Sequence, residues 1–248
     1  MKSFSQRRVN DRLETVRVAT LNAAKPAMQV TLKPSGYGPV KITAGNGLYN
    51  TAAGAVGESA VKLGEQKIAT QSVEAAAKVV SHRYQGLATV ARALYLDDEG
   101  TLTLLSLDNP MPSARVELKA AATKLFNTTA YTPAMRAAFA EHNWDSANLS
   151  EARGKISELN TALENQAEAK SGYQQAKEAE AAALKVMDQW MARFIKIARE
   201  AFAENKQALE QLKIVARSGP TKAQRAGRRK AAETRKAKKL NGGNKRAA

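Results

Sequence analysis

The sequence predicts an all-α protein: an elongated helical bundle of two tandem repeats of about 107 residues, each with a long helix, followed by a disordered basic C-terminal tail. Three observations lead there. Apolar residues recur at helical spacing in an alanine-rich chain with only 5% aromatic residues. A gapless shift of 107 positions brings similar residues together, and past Ser218 sizeable apolar residues all but vanish.

The shift is clearest in the run Ala182–Ile214. Ala182, Ala183, Lys185 and Val186 match Ala75, Ala76, Lys78 and Val79, and Ala198-Arg199 matches Ala91-Arg92. Leu209 and Leu212 match Leu102 and Leu105. Alanine matches arise easily in such a composition. The recurrence of Pro26-Ala27-Met28 as Pro133-Ala134-Met135 is harder to dismiss, because the chain has only seven prolines and six methionines. Tyr37/Trp144, Leu32/Phe139 and Tyr95/Phe202 are conservative partners. The expected organisation is repeat one over 1–107, repeat two over 108–217 and the tail over 218–248.

In chain order, Phe4, Val9, Leu13, Val16 and Leu21 predict a first helix over 3–24, with Ser3 as cap and Pro26 as bound. The matching helix is expected over 113–127. Residues 28–32 and 40–42 read in isolation as a hairpin around Lys33-Pro34-Ser35-Gly36. The repeat partner, Thr132-Pro133-Ala134-Met135, has a capping Thr and Pro at the first helical position, so 26–33 is assigned as helix. Long helices then span 43–96 and 150–203, with Thr43 and Ser150 as caps. Some fifty residues at 1.5 Å each give about 75–80 Å. Ser171-Gly172 is the one plausible break, and continuity is preferred. Large apolar residues (Ile156, Leu159, Met187, Phe194) flank a middle with Lys170, Lys177 and Glu180, as in two antiparallel helices crossing closely at their centres. Short helices capped by Asp98 and Asn205 end each repeat near 99–106 and 206–213, and Asp108–Pro112 is the link.

The net charge of +16 is uneven: twelve Lys or Arg against one acid, Glu233, from Arg217 to Ala248, and 27 against 22 elsewhere. Without cysteine there are no disulfides and no thiolate metal sites. The first residues lack the apolar run of a signal peptide, no stretch is apolar enough to span a bilayer, and a cytoplasmic location is the expectation.

No catalytic, cofactor-binding or metal-binding constellation stands out. His82 and His142 lack metal-type neighbours at short spacing. Asp97-Asp98-Glu99 is explained by helix-start charge and capping. There is no phosphate-binding glycine loop of the Walker type and no nucleophile elbow. Arg92 and Arg199 read as structural salt bridges whose stems cover apolar surface, and Lys78 and Lys185 are taken the same way.

The tail is the one feature above background. Arg225, Arg228, Arg229, Lys230, Arg235, Lys236, Lys238 and Lys239 suit phosphate neutralisation by counterion release. No aromatic is interleaved, so stacking on single strands is not expected. The expected function is a non-enzymatic structural or interaction protein whose tail binds polyanions: DNA or RNA without sequence preference, ahead of an acidic protein. The competing class is an enzyme or small-ligand protein with a pocket between the repeats. No cofactor is expected, and the oligomeric state is left open.

Overall fold

The computed structural model describes residues 4–127, 129 and 131–215. The chain is all-α, with no strand among the described residues. After a 3-10 turn at Phe4–Gln6 come α1 (Val9–Ala23), α2 (Pro26–Leu32), α3 (Pro39–Leu94) and α4 (Glu99–Leu104). They are followed by α5 (Arg115–Leu125), α6 (Pro133–Glu141), α7 (Ser146–Ala201) and α8 (Lys206–Gln211). The described residues gather into two compact units, one from those up to Thr51 together with those from Lys185 on, the other from those in Ala52–Leu184.

In the first unit, α1 starts at Val9 rather than near Ser3, which lies outside the described residues. Its buried face is Thr15, Val16, Ala19, Thr20 and Ala23. At 100° per residue, Leu21 falls well off that face and is 60% exposed, so its expected place with Val16 is corrected. The buried hydroxyls of Thr15 and Thr20 donate to the carbonyls of Asp11 and Val16, which lets polar side chains sit on the core face. Helix α2 forms over the stretch that resembled a hairpin, with Pro26 in its first turn and Met28 and Leu32 buried. The Gln29 amide donates to the Ala23 carbonyl at 2.7 Å and to that of Tyr37 at 3.5 Å, tying α2 to the end of α1 and to the following turn.

That turn is a Schellman motif. Gly36 has φ +82°, the Tyr37 N–H reaches back to the Leu32 carbonyl at 2.9 Å, and the Gly36 N–H to that of Lys33 at 3.0 Å. Tyr37 thereby drops into the core beside Trp190 and Phe194, whose rings stack at 5.2 Å with 11° between planes. Helix α3 begins at Pro39, so Thr43 is an exposed residue inside it rather than its cap.

The second unit repeats these devices. Thr132 caps α6 by accepting from the Met135 N–H, as expected. Asn143, with φ +66°, ends the motif, and the Trp144 N–H bonds the Phe139 carbonyl at 2.9 Å. Ser150 is not the cap of α7. The helix starts at Ser146, and the Asp145 carboxylate accepts from the Asn148 N–H at 2.8 Å. Helix α5 is shorter at both ends than the expected 113–127. Asp98 caps α4 through the Thr101 N–H, and in the first unit Asn205 caps α8 through the Ala208 N–H, both as expected.

Within this unit α3 and α7 run antiparallel: Gln166 donates to Thr70 at 3.1 Å, and Arg83 pairs with Glu151 further along. Helix α7 passes through Gly172 unbroken. Lys170 and Lys177 are exposed, while Glu180 is nearly buried and takes Lys177 as partner at 2.8 Å. The core lies around Tyr84, Leu87, Phe126, Met135, Phe139 and Leu159. The Tyr131 hydroxyl donates to the Leu125 carbonyl, and burial pushes its phenol above the usual range.

Candidate functional site

The eight basic residues singled out in the sequence, Arg225, Arg228, Arg229, Lys230, Arg235, Lys236, Lys238 and Lys239, lie outside the described residues. The described part shows how the rest of the charge is distributed. Residues 1–51 and 185–215 carry fourteen Lys or Arg against six Asp or Glu, whereas 52–184 carry thirteen against sixteen. The modest positive charge outside the tail therefore belongs to the first unit, and the second is slightly acidic.

Within the first unit the positive charge has a definite corner. No Asp or Glu occurs between Glu14 and Glu58. Lys25 stands before the first residue of α2, Lys33 follows its last, and Lys41 is in the first turn of α3; all three are exposed. None is in an ion pair with another described residue. Lys33 and Lys41 lie against one turn. A Cβ on Gly38 would sit 3.6 Å from Lys33 Cγ, and one on Gly36 would sit 3.8 Å from Lys41 Nζ. The Lys41 ammonium is 5.2 Å from the centre of the Tyr37 ring, within cation–π range. Burial raises the Tyr37 phenol above its ordinary range, and the charge of Arg193 on α7 pulls the other way, so a further cation stands near the same ring. By contrast Arg17 is held by Glu14 through two bonds of 2.8 and 3.0 Å. Sequence reasoning misses this corner, although its signal, the acid-free interval, is there to be read.

Several of the other residues singled out in the sequence have structural roles. Arg92 does not form the expected salt bridge with another described residue: it donates to the carbonyls of Leu107 and Asn109. Arg199 donates to the carbonyl of Val215. Chain leaving the short helices exposes carbonyl oxygens, and a forked guanidinium at the end of a long helix reaches them. Lys78 and Lys185 are exposed and are in no ion pair with another described residue, so the salt bridges expected of them are corrected. The Asp98 carboxyl is held below its usual range by the hydroxyl and N–H of Thr101, which identifies it as a cap. Arg12 and Asp188 form an ion pair between α1 and α7 in which Arg12 Nε and Asp188 Oδ1 are buried without hydrogen-bond partners. Burial outweighs the guanidinium there and raises the Asp188 carboxyl.

In the second unit, a hollow of about 420 Å³ is lined by Trp144, Asp145, Arg136, Arg153 and Thr129 among others. His142, at the end of α6, and His82, on α3, are exposed. Among the described residues no group of three or more His, Asp or Glu is placed to hold a metal ion, and no helix is long and apolar enough to cross a membrane. No family model, curated protein or solved structure matches the chain.

Proposed function

We propose that the chain is a tandem duplication, with copies over 1–107 and 108–217, acting as a non-enzymatic structural and interaction protein. Its segment 218–248 binds polyanions, nucleic acid above all, without sequence preference. Helix positions support the duplication. Pro26 and Pro133 open α2 and α6, Pro39 and Ser146 open α3 and α7, and Glu99 and Lys206 open α4 and α8; each second residue stands 107 positions after the first. The left-handed residues fall in the same register, Gly36 with Asn143 and Ser106 with Lys213. Such residues mark where a helix is turned off, so the stops recur as well as the starts.

The observation that carries the functional reading is the twelve basic residues against one acid from Arg217 to the end of the chain. Cations at that density displace condensed counterions from a phosphate backbone with no need for a shaped groove. The test replaces Arg225, Arg228, Arg229, Lys230, Arg235, Lys236, Lys238 and Lys239 by Gln in the full chain and measures binding to random-sequence duplex and single-stranded oligonucleotides over a salt series. The reading expects most of the affinity and of the salt slope to disappear. Unchanged affinity would remove the segment from the function, and a strong preference for one sequence would overturn the non-specific reading. Absence of binding by the parent chain at low salt would leave an acidic protein as the partner to seek.

A further inference from the structure

We propose that the folded body carries a second phosphate-contacting surface, the acid-free corner where Lys25, Lys33 and Lys41 surround α2 and the Gly36–Gly38 turn, and that it engages the same nucleic-acid backbone as the C-terminal segment. The inference rests on the polyanion reading above and places part of the contact on a folded surface.

The second unit provides an internal control. Its turn at 140–148 has the same backbone motif, with a left-handed residue at Asn143 where the first unit has Gly36 and an aromatic at Trp144 where the first has Tyr37. It achieves that motif with Ala140 in place of Lys33 and Asn148 in place of Lys41. The two lysines are therefore not required to build the turn. The same comparison holds at helix starts. Thr132 caps α6 with its hydroxyl, whereas Lys25, at the corresponding position of α2, makes no side-chain cap. Asp145 caps α7, whereas the corresponding residue before α3 is Gly38. Near the aromatic, Arg193 of the first unit stands where the second unit has Gly86.

At each of these five places the first unit is more positive than its counterpart, and at two of them it forgoes a capping side chain. Departures of this kind, away from the locally best residue, are expected where function sets the choice. Seven residues of α2 separate Lys25 from Lys33, a rise of about 12 Å, comparable with the spacing of a few phosphates. The unit that holds this corner also holds Val215, the last described residue, just ahead of the basic C-terminal segment. An anionic bilayer is a weaker match, because the exposed apolar residues nearby, Val30 and Val40, are small and give little insertion energy.

The test uses five full-length proteins: the parent, the triple variant Lys25→Gln, Lys33→Gln, Lys41→Gln, the eightfold C-terminal variant, a variant that combines the eightfold and triple substitutions, and a control with Lys67→Gln, Lys78→Gln and Lys170→Gln, which removes three exposed charges from the second unit. Each is titrated with a random 30-base-pair duplex over a salt series, after circular dichroism and thermal melts have shown it folded. The slope of log K against log salt should fall by about 2 to 3 in the triple variant, at about 0.9 for each phosphate that is no longer neutralised, with affinity near 0.1 M salt down on the order of 10- to 100-fold. The control should match the parent, and the eightfold variant should keep residual binding that the triple substitution abolishes. Equal reductions in the triple variant and the control would reduce the effect to net charge and overturn the inference. A triple variant equal to the parent, with all binding gone from the eightfold variant, would overturn it while leaving the C-terminal reading intact. A parent that does not bind at low salt would overturn both. Loss of binding to phosphatidylserine-containing vesicles in the triple variant, with duplex binding unchanged, would replace nucleic acid by a lipid surface.

Discussion

The indole of Trp190 lies directly on the backbone of Gly45. A Cβ at position 45 would stand 2.1 Å from the Cζ2 atom of the ring, well inside contact distance. The opposing atoms belong to a rigid ring stacked on Phe194, so the clash cannot be relieved by swinging a flexible chain aside. Gly45→Ala is therefore expected to destabilise the protein by roughly 1–3 kcal/mol, the usual cost of overpacking a core. The check is the urea midpoint at unchanged slope.

The other glycines in the first half of α3 behave oppositely. A Cβ on Gly47, Gly54, Gly57 or Gly64 would meet nothing within 4 Å. Each sits inside a continuous helix, where alanine is favoured over glycine by about 0.5–1 kcal/mol. Gly54→Ala and Gly57→Ala should raise the melting temperature, singly and additively. A fall in both would mean that something approaches this face of α3 in solution.

The contrast between these glycines is not legible in the sequence. All are small residues in an alanine-rich helix, and only the position of Trp190 separates Gly45 from its neighbours. What can be read are features with a local cause. Capping by Asp98, Asn205 and Thr132 depends on a side chain bonding an N–H three residues on, and the sequence shows all three. The starts of α3 and α7 come four residues earlier than their sequence signals. Thr43 and Ser150 look like caps, yet Pro39 and the Asp145–Asn148 bond begin the helices first. The helical spacing of the large apolar residues locates Leu159, Met187 and Phe194 in the core because burial follows period. It does not locate Thr15 and Thr20, whose hydroxyls are satisfied by the backbone of their own helix. At the candidate site, the basic residues of 218–248 are visible from composition alone. The Lys25–Lys41 corner has a signal in the acid-free interval from Glu14 to Glu58, but its place around one turn comes only from the structure.

Comparing the starts of α2 and α6 gives a stability prediction independent of binding. Lys25 occupies the N-cap position of α2 in an extended conformation without a side-chain bond, while Thr132 supplies one to α6. Thr132→Ala should cost about 1 kcal/mol, and Lys25→Ser should gain a similar amount, less the charge interactions it removes. A loss of stability in Lys25→Ser would show that the lysine has a structural partner and would weaken its assignment to phosphate. Paired measurements of melting temperature and duplex affinity on the same variant separate the two roles.

Left-handed residues provide a third handle. Ser106 has φ +57° at the end of α4, where the Leu107 N–H reaches back to the Leu102 carbonyl at 2.8 Å. A residue with a Cβ is strained there, and glycine is not. Ser106→Gly should stabilise by a few tenths to about 1 kcal/mol, because the relief of strain exceeds the added freedom of the unfolded chain. In the mirror experiment, Gly36→Ala at φ +82° should destabilise by about 1 kcal/mol.

The last prediction concerns acid. Glu14 accepts two bonds from Arg17 and one from Lys213 at 3.4 Å, linking α1 to the turn after α8. The hydrogen bond from Arg17 is the largest influence on its carboxyl, which is lowered from 4.5 to about 2, with Lys213 acting in the same direction and desolvation opposing both. A carboxyl with a depressed folded value stabilises the fold above its unfolded value, and that stability is lost as pH falls through the folded value. The contribution of Glu14 should thus be complete above pH 4.5 and vanish progressively towards pH 2. Asp188 has the opposite sign: burial raises its carboxyl, so protonation as pH falls is easier in the folded chain than in the unfolded one. Glu14→Gln should therefore flatten the acid limb of a stability–pH curve and leave the region above about pH 5 with a constant offset. Because the Glu14 side chain is about half exposed, about 1 M salt should shrink the difference between parent and variant. An acid limb that is identical in the two proteins at low salt would show that the bonds to Arg17 and Lys213 do not persist in solution.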